Sequence, residues 1–481
     1  MTQIPTTPIN LKDKLQEAVF PIIGEVADSL GLEVYVVGGF VRDIFLDRPS
    51  ADIDFVTVGS GIELARKVAK RLGRTKNLTI YANYGTAQIR FRNLELEFVG
   101  ARRESYTRDS RNPIVEDGTL DDDQKRRDFT INAMAICLNK DRFGELVDPF
   151  GGVADLRSRI IRTPLDPDVT FSDDPLRMMR AIRFATQLEF DILPATFEGI
   201  KRNSGRIEII SKERINDELG KIMRSRCPSI GFLLLDDAGL LEKVIPEVHA
   251  LKGVESVGGR AHKDNFYHTL KVVDNVAQRS DNEWLRWAAL LHDIAKPVTK
   301  RWDASQGWTF HNHNFIGEKM VPRIFKNMKM PLNEKMKYVQ KLVGLHMRPQ
   351  QVGEEGVSDS GVRRLLTDAG DDVEDLMILA ECDLTSRNPV KVRSALEGFA
   401  ALRSRMQEIN AADDYRNWKN PINGNEIMER LGIPPSQEIS RLKQLVKDAI
   451  LDGLIPNDHD AAWDFLLAHR DDAPKEPLVN N

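Results

Sequence analysis

The sequence predicts an α+β chain: a small N-terminal head built from a mixed sheet with helices, followed by an all-α remainder. Three observations lead there. Short apolar strand patterns alternate with helical patterns up to about residue 150. After "DPFGGVADL" (148–156) the strand signal fades, and from about residue 170 nearly every segment has helical spacing. That helical part is broken at Pro194, Pro228, Pro246, 253–259, 349–356 and Pro434–Pro435.

The elements read in order. Leu15, Val19, Ile22, Ile23, Val26 and Leu30 give 11–30 a helical face, and Gly31 is a natural stop. Residues 34–37 read as a buried strand, 40–46 as a helix opening directly after Gly38 and Gly39, 53–58 as a second strand and 64–72 as a helix. Further strands are expected at 80–81, 86–91 and 94–99. The polar, Pro/Gly-bearing stretch 104–125 reads as a mobile loop, a length that is uncommon without a function or disorder. The end, DDAPKEPLVNN, reads as disordered.

At 481 residues, two to four domains are expected. The composition, 41% hydrophobic and 29% charged, is that of a soluble globular protein, and no apolar run approaches the roughly 18–20 residues a bilayer span requires. The N-terminus lacks a secretory pattern, and Cys137, Cys227 and Cys382 are scattered and odd in number. A cytoplasmic protein without a disulfide framework is expected. Net charge is −5, which counts against an overall basic nucleic-acid binder but leaves local fields open. Arg157, Arg159, Arg162, Arg177, Arg180, Arg183, Lys201, Arg202 and Arg206 form an Arg-rich region; on charge alone it is a solvated helix surface.

The informative string is "YVVGGFVRDIFLDRPSADIDF" (35–55). A Gly-Gly turn between strand and helix leaves backbone N–H groups open, and the helix N-terminus adds positive charge; both suit a phosphate. Arg42 and Asp43 follow in the first turn. Asp52 and Asp54 flank Ile53 at a strand start, so both carboxylates share a face. Such a pair repels unless a cation lies between, and Mg²⁺ is the usual one beside phosphates. Two such ions can activate a 3′-hydroxyl and stabilise leaving pyrophosphate.

These residues resemble the signature of polymerase-β-type nucleotidyltransferases, specifically the class II tRNA CCA-adding enzymes and related bacterial poly(A) polymerases. The resemblance implies a polymerase-β-like head in which Asp52 and Asp54 carry catalytic metals. In "LELEFVGARRE", Glu97 stands five residues before Arg102 at the family's spacing and is the candidate third carboxylate, while Glu95 shares its strand face. "RRDFTINAM" (126–134) resembles the second motif, which implies nucleotide contacts from Arg127, Asp128 and Asn132 beside Gly38, Gly39 and Arg42. "DPFGGVADLRSRIIR" resembles the head-to-neck link, and "DDPLRMMRAIRFA" (173–185) resembles the nucleotide-recognition motif, with Asp173 where the family has Glu. Asp174, Arg177 and Arg180 are the positions it marks.

The recognition chemistry stands on its own residues. If Asp174 and Arg177 lie at i and i+3 on a helix they are neighbours, one offering acceptors and the other a fixed fork of donors. That pair complements cytosine and adenine and clashes with guanine and uracil, at about 1–3 kcal/mol per group left unpaired. Protein side chains would then act as the template. "SKERINDELGKIM" (211–223) fits the family's next helix, with Ser211 as N-cap and Glu213 and Arg214 at its start. In the family that these motifs resemble, enzymes that add only CC have a shortened loop here; the length of 104–125 therefore implies full CCA addition from CTP and ATP onto tRNA, and poly(A) addition to RNA 3′ ends is the alternative.

A second set lies further on. His268, His292-Asp293, His313, His346 and Asp383 occur in five ordered segments and resemble the HD phosphohydrolase superfamily, with His313 preferred to His311 because Gly317 follows at the family's spacing. The resemblance implies one transition metal on His268, His292, Asp293 and Asp383, with His313 and His346 able to hold a second, and a water activated against a phosphoester. This makes a third reading available: an HD phosphohydrolase with a non-catalytic RNA-binding head. Residues 421–458 resemble the family's tail, with Pro434-Pro435-Ser436 in place of Pro-Gly-Pro. The expected division is 1–150 head, 151–250 neck, 251–400 HD domain, 401–470 RNA-binding tail and 471–481 disordered.

Overall fold

The computed structural model describes residues 9–105, 114–254, 256–257, 260–261, 264–354, 356–386, 388–412, 415 and 418–472. It divides into two compact units, Met1–Pro246 and Glu247–Asn481.

The first unit opens with helix α1 (Val19–Leu30), strand β1 (Val34–Val37), helix α2 (Gly39–Phe45), strand β2 (Asp52–Thr57) and helix α3 (Gly61–Arg71). Strands β3 (Leu78–Tyr81), β4 (Thr86–Phe91) and β5 (Leu94–Gly100) follow, then β6 (Arg102–Ser105), β7 (Ile114–Asp117), helix α4 (Leu120–Lys125), β8 (Ala135–Cys137) and β9 (Leu146–Val147). Seven strands form one sheet in the order β3-β4-β5-β2-β1-β8-β9. β2 and β5 run parallel and the other pairs antiparallel, so the sheet is mixed.

Alternation along β2, β4 and β5 divides the sheet into two faces. Ile53, Phe55, Ile89, Leu96 and Phe98 are buried on one, with Phe55 and Phe98 stacked at 4.9 Å. The other face carries Asp52, Asp54, Gln88, Arg90, Glu95 and Glu97. In α1, a Cβ on Gly24 would stand 2.0 Å from the Leu138 carbonyl oxygen, so only glycine lets helix and chain approach that closely.

Two expectations are corrected here. The first helix begins at Val19, not residue 11; Lys12–Lys14 is a single 3₁₀ turn, because Leu15 at φ −91°, ψ 59° leaves helical geometry. The stretch 104–125 is not one loop. β6 and β7 pair as a hairpin, and α4 starts at a capping box in which Thr119 and Asp122 satisfy each other's backbone N–H. Residues 106–113 lie outside the described residues, as does 473–481 of the expected disordered end.

The neck continues through α5 (Gly152–Ser158), α6 (Pro167–Asp173), α7 (Leu176–Leu188), α8 (Pro194–Asn203), α9 (Lys212–Met223), α10 (Pro228–Asp237), α11 (Leu241–Val244) and α12 (Pro246–His249). Its arginines are not a free basic stripe: Arg162 binds Asp155, Arg183 binds Glu218 and Arg202 binds Asp168.

The second unit is helical: α13 (Asn265–Ala277), α14 (Glu283–Leu291), α15 (Lys296–Thr299), α16 (His313–Asn327), α17 (Glu334–Leu345), α18 (Arg348–Glu354), α19 (Asp359–Ala369), α20 (Val373–Asp383), α21 (Pro389–Ala412), α22 (Gly424–Leu431), α23 (Gln437–Leu451) and α24 (His459–His469). The last three close a core of their own around Ile427, Leu442, Val446, Ile450 and Trp463. Arg364 on α19 forks to Asp448 and Asp452 on α23, fastening that core to the rest of the unit. Among the described residues no helix is long and apolar enough to cross a membrane.

Candidate active site

Gly38 ends β1 at φ 73°, ψ −133°, a left-handed conformation that favours glycine. A Cβ there would stand 3.1 Å from Arg127 Nη1 and 3.4 Å from Asp54 Oδ2, so the bare bend fits between a guanidinium and a carboxylate. Gly39 opens α2. Arg42 on α2 forks onto Asp43 (2.9 and 3.1 Å) and gives a third N–H to Asn132 Oδ1 at 3.0 Å. Val37 is paired with Asp54, and Asp54 with Glu97, so the bend, Asp54 and Glu97 stand in a row across three strands.

Asp52 and Asp54 both keep solvent contact on the open face, as β2 alternation requires. Partial desolvation pushes the Asp54 carboxyl above the usual carboxylate range; Asp52 and Asp123 add to this and Arg127 opposes it. Desolvation, then Asp54, likewise raises Glu97, with Arg102 opposing. Glu95 is engaged elsewhere, by Arg90 at 3.1 Å and Gln88 at 3.3 Å. Glu97 is thus the carboxylate that feels Asp54. Three hard oxygen donors on one face suit Mg²⁺.

Behind this row lies a set of paired charges. Asp128, 7% exposed, accepts from Arg180 Nε at 2.7 Å, Asn132 Nδ2 at 3.1 Å and the Phe129 N–H at 2.8 Å. Burial alone would raise its pKa, but Arg180 and Asn132 outweigh it and hold Asp128 at about 2. Sequence reading missed two partners. Buried Asp123 takes both Arg126 and Arg127, and the Phe184 ring lies under Arg42, Arg180 and Arg183 at 5.2, 5.6 and 4.0 Å. The i,i+3 and i,i+4 spacing of Asp123 to the arginines was the available signal.

Asp174 is not on the helix with Arg177. It lies between α6 and α7 with extended backbone, because Pro175 disfavours helical geometry before it. Its Oδ1 accepts the Leu176 N–H at 3.1 Å and its Oδ2 takes Arg214 at 3.2 Å. Arg177 donates to the Arg126 carbonyl at 2.5 Å and the Thr170 carbonyl at 3.5 Å. Asp174, Arg177, Arg214 and Arg126 line one cleft of about 820 Å³ that also meets the end of β5 and the start of α3. Asp52 and Asp54 do not line it; Arg126–Arg127 is the link, with Arg126 O on Arg177 and the Arg127 guanidinium at Gly38. Ser211 stands at the N-cap of α9, but its side chain makes no capping hydrogen bond.

In the second unit four helix ends and the first turn of α13 converge. His292 and Asp293 follow α14, His313 opens α16, His346 follows α17 and Asp383 ends α20. Ligand atoms of His268, His292 and Asp383 lie within 4.8 Å of one another, as do those of Asp293, His313 and His346. Among the described residues these are the two groups with that spacing; the head carboxylates do not close to it. Asp293 belongs to both sets, not to the first alone: Oδ2 faces His292 at 3.2 Å and His268 at 3.5 Å, Oδ1 faces His313 at 3.3 Å and His346 at 3.8 Å. His311 is exposed.

His292, His313 and His346 each place Nδ1 at 2.8 Å from the carbonyl three residues back. A carbonyl only accepts, so Nδ1 carries a proton and Nε2 points inward, where it can hold a proton or a metal. His292 Nε2 is buried without a hydrogen-bond partner. Burial lowers His346 to about 4; burial also opposes charge on His292, but Asp293 and Asp383 outweigh it and lift His292 to about 10. The pocket therefore demands positive charge, from a proton or a cation, and inward imidazoles with carboxylates fit a transition metal.

Three family models match: "Poly A polymerase head domain" over 34–162, "Probable RNA and SrmB- binding site of polymerase A" over 189–252 and "HD domain" over 265–388. The A-adding tRNA nucleotidyltransferase of Deinococcus radiodurans is 31% identical over 340 residues, 69% of this chain and 75% of that protein. The multifunctional CCA protein of Shewanella frigidimarina is 33% identical over 312 residues, 62% and 70% respectively. The A-adding tRNA nucleotidyltransferase of Aquifex aeolicus is 43% identical over 195 residues, 40% of this chain but only 23% of that protein. A crystal structure of a tRNA nucleotidyltransferase complexed with a primer tRNA and an incoming ATP analog aligns with TM-score 0.56 at 26% identity, over 79% of this chain and 98% of that one. The Thermotoga maritima CCA-adding enzyme complexed with tRNA shares the fold, with TM-score 0.58 at 22% identity over 94% of each chain.

Proposed function

The chain belongs to the family of tRNA nucleotidyltransferases and bacterial poly(A) polymerases, and from that premise we propose that it adds CCA to tRNA 3′ ends from CTP and ATP without a nucleic-acid template. The observation that carries this reading is the row formed by the Gly38 bend, Asp54 and Glu97, with Asp52 on the same face and Arg127 at the bend. In this reading the backbone at Gly38, with Arg127 and Arg42, binds the triphosphate. The primer 3′-oxygen attacks the α-phosphorus, the bond to the β-phosphate breaks and pyrophosphate leaves; the hydroxyl proton goes to solvent. Asp52, Asp54 and Glu97 would hold Mg²⁺, which when bound would activate that hydroxyl and stabilise charge on the leaving group. Asp128, Asn132 and Arg180 hold Arg42 and the recognition helix α7 in place. Asp174 and Arg177 read the base from the adjoining cleft, and the cytoplasm is the expected place of work.

Incubation with tRNA lacking its terminus, with CTP and ATP singly and together, tests this. Two C residues with CTP and one A thereafter are expected; continued extension with ATP alone would indicate a poly(A) polymerase instead. The Aquifex and Deinococcus relatives favour a second reading, in which the chain adds only the terminal A. Incorporation of ATP onto tRNA ending in CC, with no use of CTP, would select it.

For the second unit we propose a metal-dependent phosphohydrolase acting on nucleotide or RNA phosphoesters. Its support is the three inward-facing Nε2 atoms around buried Asp293 and half-buried Asp383.

A further inference from the structure

The row across the sheet has a direction. The Gly38 bend is on the β1 side of Asp54, and Glu97 is on the β5 side. In nucleotidyl transfer the attacking and leaving oxygens lie roughly in line across the phosphorus. With the triphosphate at the Gly38 bend, the attacking strand must come from the opposite flank, over β5, β4 and β3, a span of about 10 Å at ordinary strand spacing.

That flank is built for a single strand of RNA. Thr79 is paired with Gln88, and Gln88 with Glu97, so their side chains continue the Asp54 row to the sheet edge. Lys76, Asn77, Thr79, Tyr81, Gln88 and Arg90 line a cleft of about 430 Å³ on this face. Tyr81 is 46% exposed on this face, where its ring is open to stack a base. Lys76 and Arg90 give this face its positive charge. Glu95 is already neutralised by Arg90 at 3.1 Å, in a solvent-exposed pair weak enough for a phosphate to replace.

We propose that this β3–β4 face is the bed for the single-stranded 3′ end of the RNA primer, with Tyr81 stacking a base and Lys76 and Arg90 holding phosphates. The proposal rests on the reading that the head lengthens RNA 3′ ends. Lys76→Ala/Arg90→Ala and Tyr81→Ala variants of the full chain test it, with trimmed tRNA as primer. The KM for primer rises about tenfold in each, as loss of a stacking or phosphate contact implies, while the KM for the nucleotide stays at the wild-type value. The slope of log primer affinity against log salt becomes shallower by about 0.7 per lost cation, and Arg90→Lys restores most of the loss. Wild-type primer KM and salt slope in these variants would overturn the bed while leaving the catalytic reading intact. A wild-type chain that extends no RNA primer would overturn both.

Discussion

His313 Nε2 and His346 Nε2 lie 3.4 Å apart, and each ring turns its Nδ1 to a backbone carbonyl at 2.8 Å. Two ring nitrogens at that distance, both facing Asp293 Oδ1, need a proton or a metal cation between them, and a metal can bind both at once. The purified protein should therefore bind a divalent transition metal. Chelation should lower the unfolding midpoint of the second unit; metal at a hundred times its Kd contributes about 2.7 kcal/mol. His346→Ala should lose metal, measured by elemental analysis, while nucleotide addition by the head continues. A chain that binds no transition metal after dialysis against one would refute the cluster.

Asp54 and Glu97 are each raised above the ordinary carboxylate range, which makes their ionised forms a cost to the fold. The sign follows: a raised carboxylate destabilises above its folded pKa, and the cost disappears below the unfolded value. Without Mg²⁺, Asp54→Asn should be at least as stable as the wild type at pH 7, with the difference shrinking as pH falls toward 4. Nucleotide addition should drop by about 10²–10³-fold or more, as for loss of a group that acts on transition-state charge. Thermal melts across pH, together with single-turnover extension, check both halves.

The parts of this molecule that were legible in the sequence are those set by local chemistry. The Gly38–Gly39 bend and the Asp52–Asp54 pair could be read because each is a short string whose spacing dictates its geometry, and the five HD segments through the family order they resemble. Asp174 could not be placed, since D-x-x-R looks helical until the effect of Pro175 on the preceding residue is counted. The β6–β7 hairpin was hidden by its charged strands, whose polar residues mimic a loop. Assignment of Asp293 to both metal sets, and the placing of Arg42 over Phe184, depend on contacts between helices far apart in sequence, which no local pattern encodes.

Arg177 has its fork turned onto the backbone carbonyl of Arg126, one residue from the arginine at the Gly38 bend. A lysine would keep the charge but lose the planar fork. Arg177→Lys should therefore retain nucleotide addition in outline and lose base discrimination. Incorporation of UTP or GTP relative to CTP and ATP should rise about tenfold or more, the equivalent of one or two lost hydrogen bonds. Unchanged selectivity in competition assays would remove Arg177 from base recognition.

Asp128 is the hub of the charges behind the site. Arg180, Asn132 and the Phe129 N–H converge on it, and Arg180 also stands over Phe184. Asp128→Ala strands a guanidinium and an amide in the interior and should cost about 3 kcal/mol, the low end for a broken buried pair because Arg180 keeps solvent contact. Asp128→Asn keeps the shape and should cost less. With its folded pKa at about 2, below the unfolded value, Asp128 contributes stability that is present above about pH 4 and lost as pH falls toward 2. Acid unfolding of the Asn variant should lack that part of the pH dependence, so the difference in stability between wild type and Asp128→Asn should narrow steadily between pH 4 and pH 2. A constant difference across that window would show that Asp128 does not hold its proton-free form through Arg180.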